Sequence, residues 1–531
     1  MATEAAGLSR SAPPPEPAAT SSRPLTAAAS LNALQSLLDY VAKLAVGLVI
    51  VPILLSGLGR TLFGVWEMLH KLVGYLAAAD GRPTQALRLV IAHGRTTADP
   101  ESQRRQVASA MVVWLLFLPL FATVGGVVIW LAPHITRVPV DLHSTVRAAC
   151  GLLVGGLVFG TLASIPESVL RGMNLGYRRM GLQAGLSVCG GILTAAAVYA
   201  GLGLAGVAAA QVALGVLTGA CFWLLVRKYV GWFGLARPRA TEVRALFGMS
   251  LWLAGGDLIA KLLLASDVLI LGMVVSAAAV TSYVLTGYAA RLAVNLHVLS
   301  TDGVMPGLAG VIGEGRYDRA AEVREELLAL TWIFATVAGA TILLWNRSFL
   351  HLWVGGENYA GFWPNVLIVV IAIQTSFIRA DAYILDAALR PRSRVQVGAC
   401  AAAVTLLCCF ALTREYGVIG LCLGVLAGRA IQTVAYPLLV RASLRQPRAW
   451  RPRSVLRAGI VTVLLYIGAA WLGEDVLAAN WLSWTAGVAL TAAALLGLAF
   501  MTGLSGTSRE AVVRRVKALR AGRRGRTGRV S

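Results

Sequence analysis

The chain is a succession of long apolar stretches separated by short polar ones. A helix needs about 20 mostly apolar residues to cross the hydrocarbon core of a bilayer. By that measure the sequence predicts about fourteen spans, near 33–55, 61–79, 107–131, 146–170, 180–200, 204–226, 245–266, 268–300, 327–350, 362–388, 395–413, 418–440, 456–473 and 481–504. Polar residues interrupt the second and the eighth, and no clear polar break separates the seventh from the eighth. The first 30 residues are rich in Ala, Pro and Ser and include Pro13-Pro14-Pro15. They lack the apolar stretch of a cleaved signal peptide and read as a disordered tail.

Composition agrees with the pattern. Hydrophobic residues make up 57% of the 531 positions and charged residues 14%, with a mean hydropathy of +0.72. A soluble domain carries roughly 25% charged residues, and a chain this poor in charge cannot cover itself with a polar surface. The seven cysteines (Cys150, Cys189, Cys221, Cys400, Cys408, Cys409, Cys422) all lie in apolar runs. None has metal-ligand spacing in a polar loop, so they read as small apolar fillers, with no metal site, no disulfide framework and no cofactor expected.

The net charge of +22 would point to nucleic acid in a soluble protein. In a membrane protein it fits the bias of cytoplasmic loops toward Lys and Arg, so no nucleic-acid partner is expected. With the N-terminus inside, the cytoplasmic connections hold Arg82, Arg88, Arg95, Arg104 and Arg105, then Arg171, Arg178 and Arg179, then Arg227, Lys228, Arg237, Arg239 and Arg244. Arg316, Arg319 and Arg324 follow, then Arg390, Arg392 and Arg394, then a six-arginine group from Arg441 to Arg457. The opposite connections hold little beyond Arg60, Arg137, Arg147, Arg347 and Arg414. The alternation predicts both ends inside. In the C-terminal tail, Ser508 is placed to cap a basic amphipathic helix. That segment either lies on an anionic leaflet or is simply solvated.

The chain also repeats itself at an offset of roughly 218–221 residues. Asp39-Tyr40-Val41-Ala42-Lys43-Leu44 matches Asp257-Leu258-Ile259-Ala260-Lys261-Leu262, both Asp-x-x-Ala-Lys-Leu. Lys71-Leu72 faces Arg291-Leu292, Gly94-Arg95 faces Gly315-Arg316, and Trp114 faces Trp332. Six spans separate the copies, an even number, so both halves share one orientation. Such parallel repeats are a known transporter architecture, with the substrate path between them. The expected organisation is a cytoplasmic tail (1–30), an N-lobe (31–240), a C-lobe (241–445), two further spans (446–505) and a basic tail (506–531).

Charges inside the spans mark candidate chemistry, since each costs roughly 2.5–3.5 kcal/mol at a helix centre on insertion scales. Asp39 and Lys43 are four apart, as are Asp257 and Lys261, so each pair is a neighbour pair on one helix face. Each either neutralises itself and pins the lobes, snorkels to the interface, or faces a wet path. Lys71 and Arg291 lack an equally close acidic partner downstream, and Arg379 sits beside Asp381. Lys43, Lys71, Lys261, Arg291 and Arg379 are therefore candidates for a cationic cavity that would accept an anionic headgroup such as a diphosphate. Asp267, Asp302 and Asp381 are candidates for coupling ions. Span twelve adds Arg429.

Several stretches resemble the polysaccharide-transporter branch of the MOP flippases, the Wzx-type exporters of lipid-linked oligosaccharide. Leu58-Gly59-Arg60-Thr61-Leu62-Phe63-Gly64-Val65-Trp66 is similar to the motif between that family's first two spans. Ser250-Leu251-Trp252 with Asp267-Val268-Leu269-Ile270-Leu271-Gly272, the run from Tyr283 to Arg291, and Met305-Pro306 with Gly315-Arg316-Tyr317-Asp318 resemble later motifs. So do Leu352-Trp353-Val354-Gly355 and Tyr416-Gly417-Val418-Ile419-Gly420. The likeness runs over about residues 33–445. It departs from the family at Glu67-Met68-Leu69-His70-Lys71, which is more charged than usual. The resemblance implies an all-α fold of two pseudo-symmetric six-helix lobes, here with two more C-terminal helices. It also implies alternating access in a bacterial inner membrane, with a polyprenyl-diphosphate-linked oligosaccharide as substrate and polysaccharide polymerase and assembly proteins as partners.

Other readings are a MurJ-type lipid II flippase, a MATE-type antiporter, and a membrane polymerase or ligase. Basic cavity residues argue against organic-cation antiport. Short outer connections with few ionisable groups argue against an enzyme, which needs general acid–base residues. No ATP-binding Gly-x-x-x-x-Gly-Lys-Ser/Thr motif is present.

Overall fold

The computed structural model describes residues 25–94, 98–175, 181–302, 305–388, 391–445 and 452–503. Residues 1–24 of the expected N-terminal tail and the basic tail with Ser508 lie outside the described residues, which contain no strand, whereas residues 25–30, expected to be part of the disordered tail, begin the first helix. Fifteen α-helices follow one another: α1 (Leu25–Ala79), α2 (Pro83–His93), α3 (Pro100–Thr136), α4 (His143–Gly172), α5 (Leu182–Tyr199), α6 (Gly203–Tyr229), α7 (Ala240–Val274), α8 (Ala277–Thr286), α9 (Tyr288–Asp302), α10 (Met305–Gly313), α11 (Tyr317–Trp353), α12 (Phe362–Ala387), α13 (Pro391–Ser443), α14 (Pro452–Asp475) and α15 (Trp481–Leu498).

Among the described residues, eleven helical segments are long and apolar enough to cross a bilayer. The chain is a multi-pass membrane protein, and the difference from fourteen has a local cause. Helix α1 is broken at Gly59 (φ 74°) and α13 at Gly417 (φ 55°). A positive φ is cheap for glycine and costly for other residues, so each helix turns there and accounts for two of the expected spans.

The eighth expected span, 268–300, needs correction. Helix α7 runs on to Val274, and the turn falls at Val275-Ser276, where Ser276 caps α8 by accepting the Ala279 N–H at 3.1 Å. Beyond it the segment is broken again, into α8 and α9, at Gly287. Hydropathy could not find the first boundary because both sides of it are apolar and buried, including Leu271 and Val280. Helix α2 was also not anticipated. Pro83 starts it, and Ala86, Leu87 and Ile91 form its buried stripe.

Cross-element bonds sort the connections into two faces. On one, Arg137 donates to the Val274 carbonyl at 3.3 Å, Arg60 to Ser282 at 2.5 Å, and Tyr359 to Glu474 at 3.0 Å. On the other, Arg105 of α3 pairs with Glu242 of α7 at 3.0 Å, and Arg104 donates to the Trp232 carbonyl at 2.7 Å. The second face gathers basic connections that the charge alternation had grouped together. Helices α14 and α15 dock on α11, with Trp332 donating to Thr462, Tyr466 to the Ala335 carbonyl and Trp345 to Thr491, at 2.7–3.0 Å. Their outer sides expose Leu464, Trp471, Leu482 and Leu490, as a lipid-facing surface does.

Candidate functional site

One seam runs along α1: beyond its turn at Gly59 it meets α7 and α8, and before that turn, where it carries the first Asp-x-x-Ala-Lys-Leu copy, it meets α9 and α11. On the basic face, Tyr75 of α1 donates to the Lys261 carbonyl at 3.1 Å and lies 2.6 Å from Ser266. The Lys261 ammonium pairs with Asp257 at 2.8 Å and donates to the Gly74 carbonyl. Arg82, just past the end of α1, pairs with the same Asp257. Further along, Tyr40 donates to the Leu292 carbonyl at 3.0 Å and Trp353 to the Leu48 carbonyl at 2.7 Å. At the opposite face, Thr281 donates to the Arg60 carbonyl at 2.6 Å. Gly64 makes that approach possible, since a Cβ there would sit 1.9 Å from the Ala277 carbonyl oxygen. Backbone cannot yield to such a clash. Gly64→Val is expected to part α1 from α8, seen as new cysteine accessibility at Ser282 in intact vesicles. Unchanged protection at Ser282 would contradict this contact.

Four of the five expected cations lie on helices of this seam, Lys43 and Lys71 on α1, Lys261 on α7 and Arg291 on α9, and the fifth, Arg379, lies on α12. Lys43 lies one helical turn from Tyr40 and is exposed. Lys71 lies one turn from Tyr75 and one from Glu67 and is half-buried. Residues three or four apart share a helix face, so both lysines follow their tyrosines toward the seam. Arg291 is exposed beside Leu292, and its guanidinium turns back to donate to the Val284 carbonyl. The break at Gly287 interrupts the helical ladder, and Arg291 caps a carbonyl on its far side. Broken backbone at membrane depth is tolerated where protein or a wet path satisfies it. Tyr288 sits at the same break, within electrostatic range of Arg291, Tyr40 and Glu67. Its ring lies 4.6 Å from that of Trp353, and a Cβ on Gly47 would be 2.5 Å from its hydroxyl.

Among the described residues, Lys43, Lys71, Arg291 and Arg379 form no ion pair. Asp39 and Lys43, expected as a possible pair, do not meet as one. Asp39 is buried, and its Oδ1 has no hydrogen-bond partner. Lys261 is taken up by Asp257 and the Gly74 carbonyl, which leaves it a clasp more than a free cation.

A second cluster lies behind the seam. Asp267 accepts from the Tyr283 hydroxyl at 2.7 Å. Buried Arg429 donates to Thr375 and is within electrostatic range of Asp267 and Arg379. Asp381 was expected beside Arg379 as a possible partner. It is instead held by Arg324, whose Nε and Nη2 donate to Oδ1 at 3.0 and 2.9 Å. The reason is helical geometry, since residues two apart point to different sides of a helix. Asp302 ends α9, and its side chain lies outside the described residues.

The sequence reading missed Asp80, Tyr75 and Tyr288, and counted Arg82 and Arg324 only as loop charge. Arg324 is in fact buried within α11. Asp80-Gly81-Arg82-Pro83, an acid and a base around a glycine turn with proline to start a helix, was the signal available for Arg82.

The sequence matches no protein-family model and no curated protein. Solved structures do match its fold. The lipid II flippase MurJ, in an inward closed conformation, aligns with a TM-score of 0.64 at 11% identity, covering 88% of this chain and 97% of that one. Two conformations of a multidrug-resistance MATE transporter of the MOP superfamily also align. The inward-facing one has a TM-score of 0.60 at 14% identity (78% of this chain, 94% of that one), and the outward-facing one 0.57 at 15% (79% and 95%). The chain shares the fold of these structures.

Proposed function

We propose that this MOP-fold protein is a flippase that carries a polyprenyl-diphosphate-linked oligosaccharide across the bacterial inner membrane by alternating access. The observation that supports the reading is the set of basic side chains outside any ion pair on the helices of one seam, Lys43 and Lys71 on α1 and Arg291 on α9. A diphosphate presents several acceptor oxygens, and lysine and arginine donors beside them form charge-assisted hydrogen bonds. An organic cation would find the seam unfavourable, which separates this reading from drug antiport. The MurJ alignment, which covers more of the chain than the MATE alignments, supports a lipid-headgroup substrate as well.

In this reading residues 31–240 form one lobe and 241–445 the other, with both chain ends in the cytoplasm. The lobes rock about the seam, the headgroup crosses between them, and the lipid tail stays in the bilayer. A polymerase and assembly proteins would take up the product. In cells lacking the chain, fully assembled lipid-linked oligosaccharide is expected to accumulate in the cytoplasmic leaflet. Accumulation of unpolymerised units on the periplasmic side would overturn the flippase reading in favour of a polymerase.

A further inference from the structure

The corner between α1 and α2 holds a buried carboxylate that the transport reading leaves unused. Asp80 is 8% exposed. Its Oδ1 accepts the Arg82 backbone N–H at 2.8 Å, and its Oδ2 accepts the Thr161 hydroxyl at 3.0 Å. Trp114, Phe117 and Phe121 of α3 and Val158 of α4 close the surrounding space without adding charge. Arg82 itself sits in the left-handed region (φ 54°, ψ 38°). A non-glycine residue rarely adopts that conformation unless it is held there. Held by Asp80, Arg82 sends its guanidinium to Asp257 on α7, the carboxylate that also binds Lys261.

The cluster is therefore two carboxylates, Asp80 and Asp257, and two cations, Arg82 and Lys261. Arg82 and Lys261 are the charged groups that act on Asp80. With all four charged the cluster is neutral. With a proton on Asp80 it carries one positive charge, two cations share a single carboxylate, and the Arg82 turn loses an ionised acceptor.

We propose that Asp80 is a proton-operated switch on the clasp between the α1–α2 corner and α7. Ionised, it fixes the Arg82 turn so that the guanidinium reaches Asp257. Protonated, it releases the turn and α7 parts from the corner. Burial favours the neutral form and holds the Asp80 carboxyl above the usual range, although the bonds from Arg82 and Thr161 oppose it. The proton thus binds at milder pH than on an exposed aspartate, and the clasp is closed above that pH and open below it. The proposal rests on the transport reading only in treating the seam as one that opens.

The test uses spin labels at Gln85→Cys on α2 and Leu258→Cys on α7, both at exposed positions. The full chain, with its seven native cysteines replaced, is reconstituted in lipid nanodiscs without substrate. One short distance is expected at about pH 8, with a longer-distance population growing as pH falls toward about 5. Asp80→Asn is expected to show the longer distance throughout and to lose the pH response. Thr161→Val removes a bond to the charged form and should move the midpoint to higher pH. A pH-independent distance in the unsubstituted cluster, a wild-type response in Asp80→Asn, or an unmoved midpoint in Thr161→Val overturns the switch. Thr161→Val carries the test if Asp80→Asn does not fold. Because no substrate is present, the switch can fail while the flippase reading stands, and the reverse holds for the accumulation experiment.

Discussion

Replacing Lys71 and Arg291 together by alanine is expected to slow transport by roughly a hundredfold while the protein still inserts. Hydrogen bonds to charged groups contribute about 1.5–3 kcal/mol each, and about 1.4 kcal/mol is a factor of ten, so each lost contact costs at least roughly tenfold. The two side chains lie on different helices of the seam and neither sits in an ion pair, so their loss leaves no buried acid stranded. Arg291→Ala also uncaps the Val284 carbonyl at the Gly287 break. Arg291→Lys separates the two effects, since it keeps the charge and gives up the planar fork. Initial rates in proteoliposomes, normalised to inserted protein, provide the measurement. A double variant with the wild-type rate would remove the cationic seam from the mechanism.

The largest stability effect is expected at the Arg324–Asp381 pair. Both residues are nearly fully buried, at 6% and 4% exposed. Two bonds from one guanidinium to Asp381 join α11 to α12. Breaking a buried pair from one side costs about 3–5 kcal/mol, because the remaining charge has no partner, whereas replacing both partners by apolar residues is often nearly neutral. Arg324→Leu should therefore sharply lower the temperature at which the detergent-solubilised protein loses its monodisperse form, and Arg324→Leu with Asp381→Leu should regain most of the loss. A single variant as stable as the wild type would show that the pair is not a structural clamp.

These two sites show what the sequence disclosed and what it withheld. The spans were legible because the bilayer demands a long apolar run, a one-dimensional property. The glycine turns at Gly59 and Gly417 fell where paired spans were expected to meet. The boundary at Val275-Ser276 was hidden because packing makes both flanks apolar. Lys71 and Arg291 stood out as intramembrane charges without an equally close acidic partner downstream, a pattern visible at helical spacing. Asp381 misled because its partner, Arg324, lies on another helix and in the sequence resembles one more loop arginine. The clasp of Arg82, Asp257 and Lys261 was half visible for the same reason. The Asp257–Lys261 pair is local, and Arg82 reaches it only through the fold. Asp80 gave no signal beyond its place in the Asp80-Gly81-Arg82-Pro83 turn, since a single acid at a helix end becomes distinctive only when burial removes its water.

The most direct test of the central claim is movement of the headgroup itself. The purified full chain is reconstituted into vesicles that carry a fluorescent polyprenyl-diphosphate oligosaccharide in both leaflets, and a membrane-impermeant quencher is added outside. The flippase account predicts that nearly all the fluorescence is lost with the wild-type protein, that about half survives in protein-free vesicles, and that with the Lys71→Ala, Arg291→Ala double variant the second half is lost roughly a hundredfold more slowly. Survival of half the fluorescence with correctly inserted wild-type protein would contradict it.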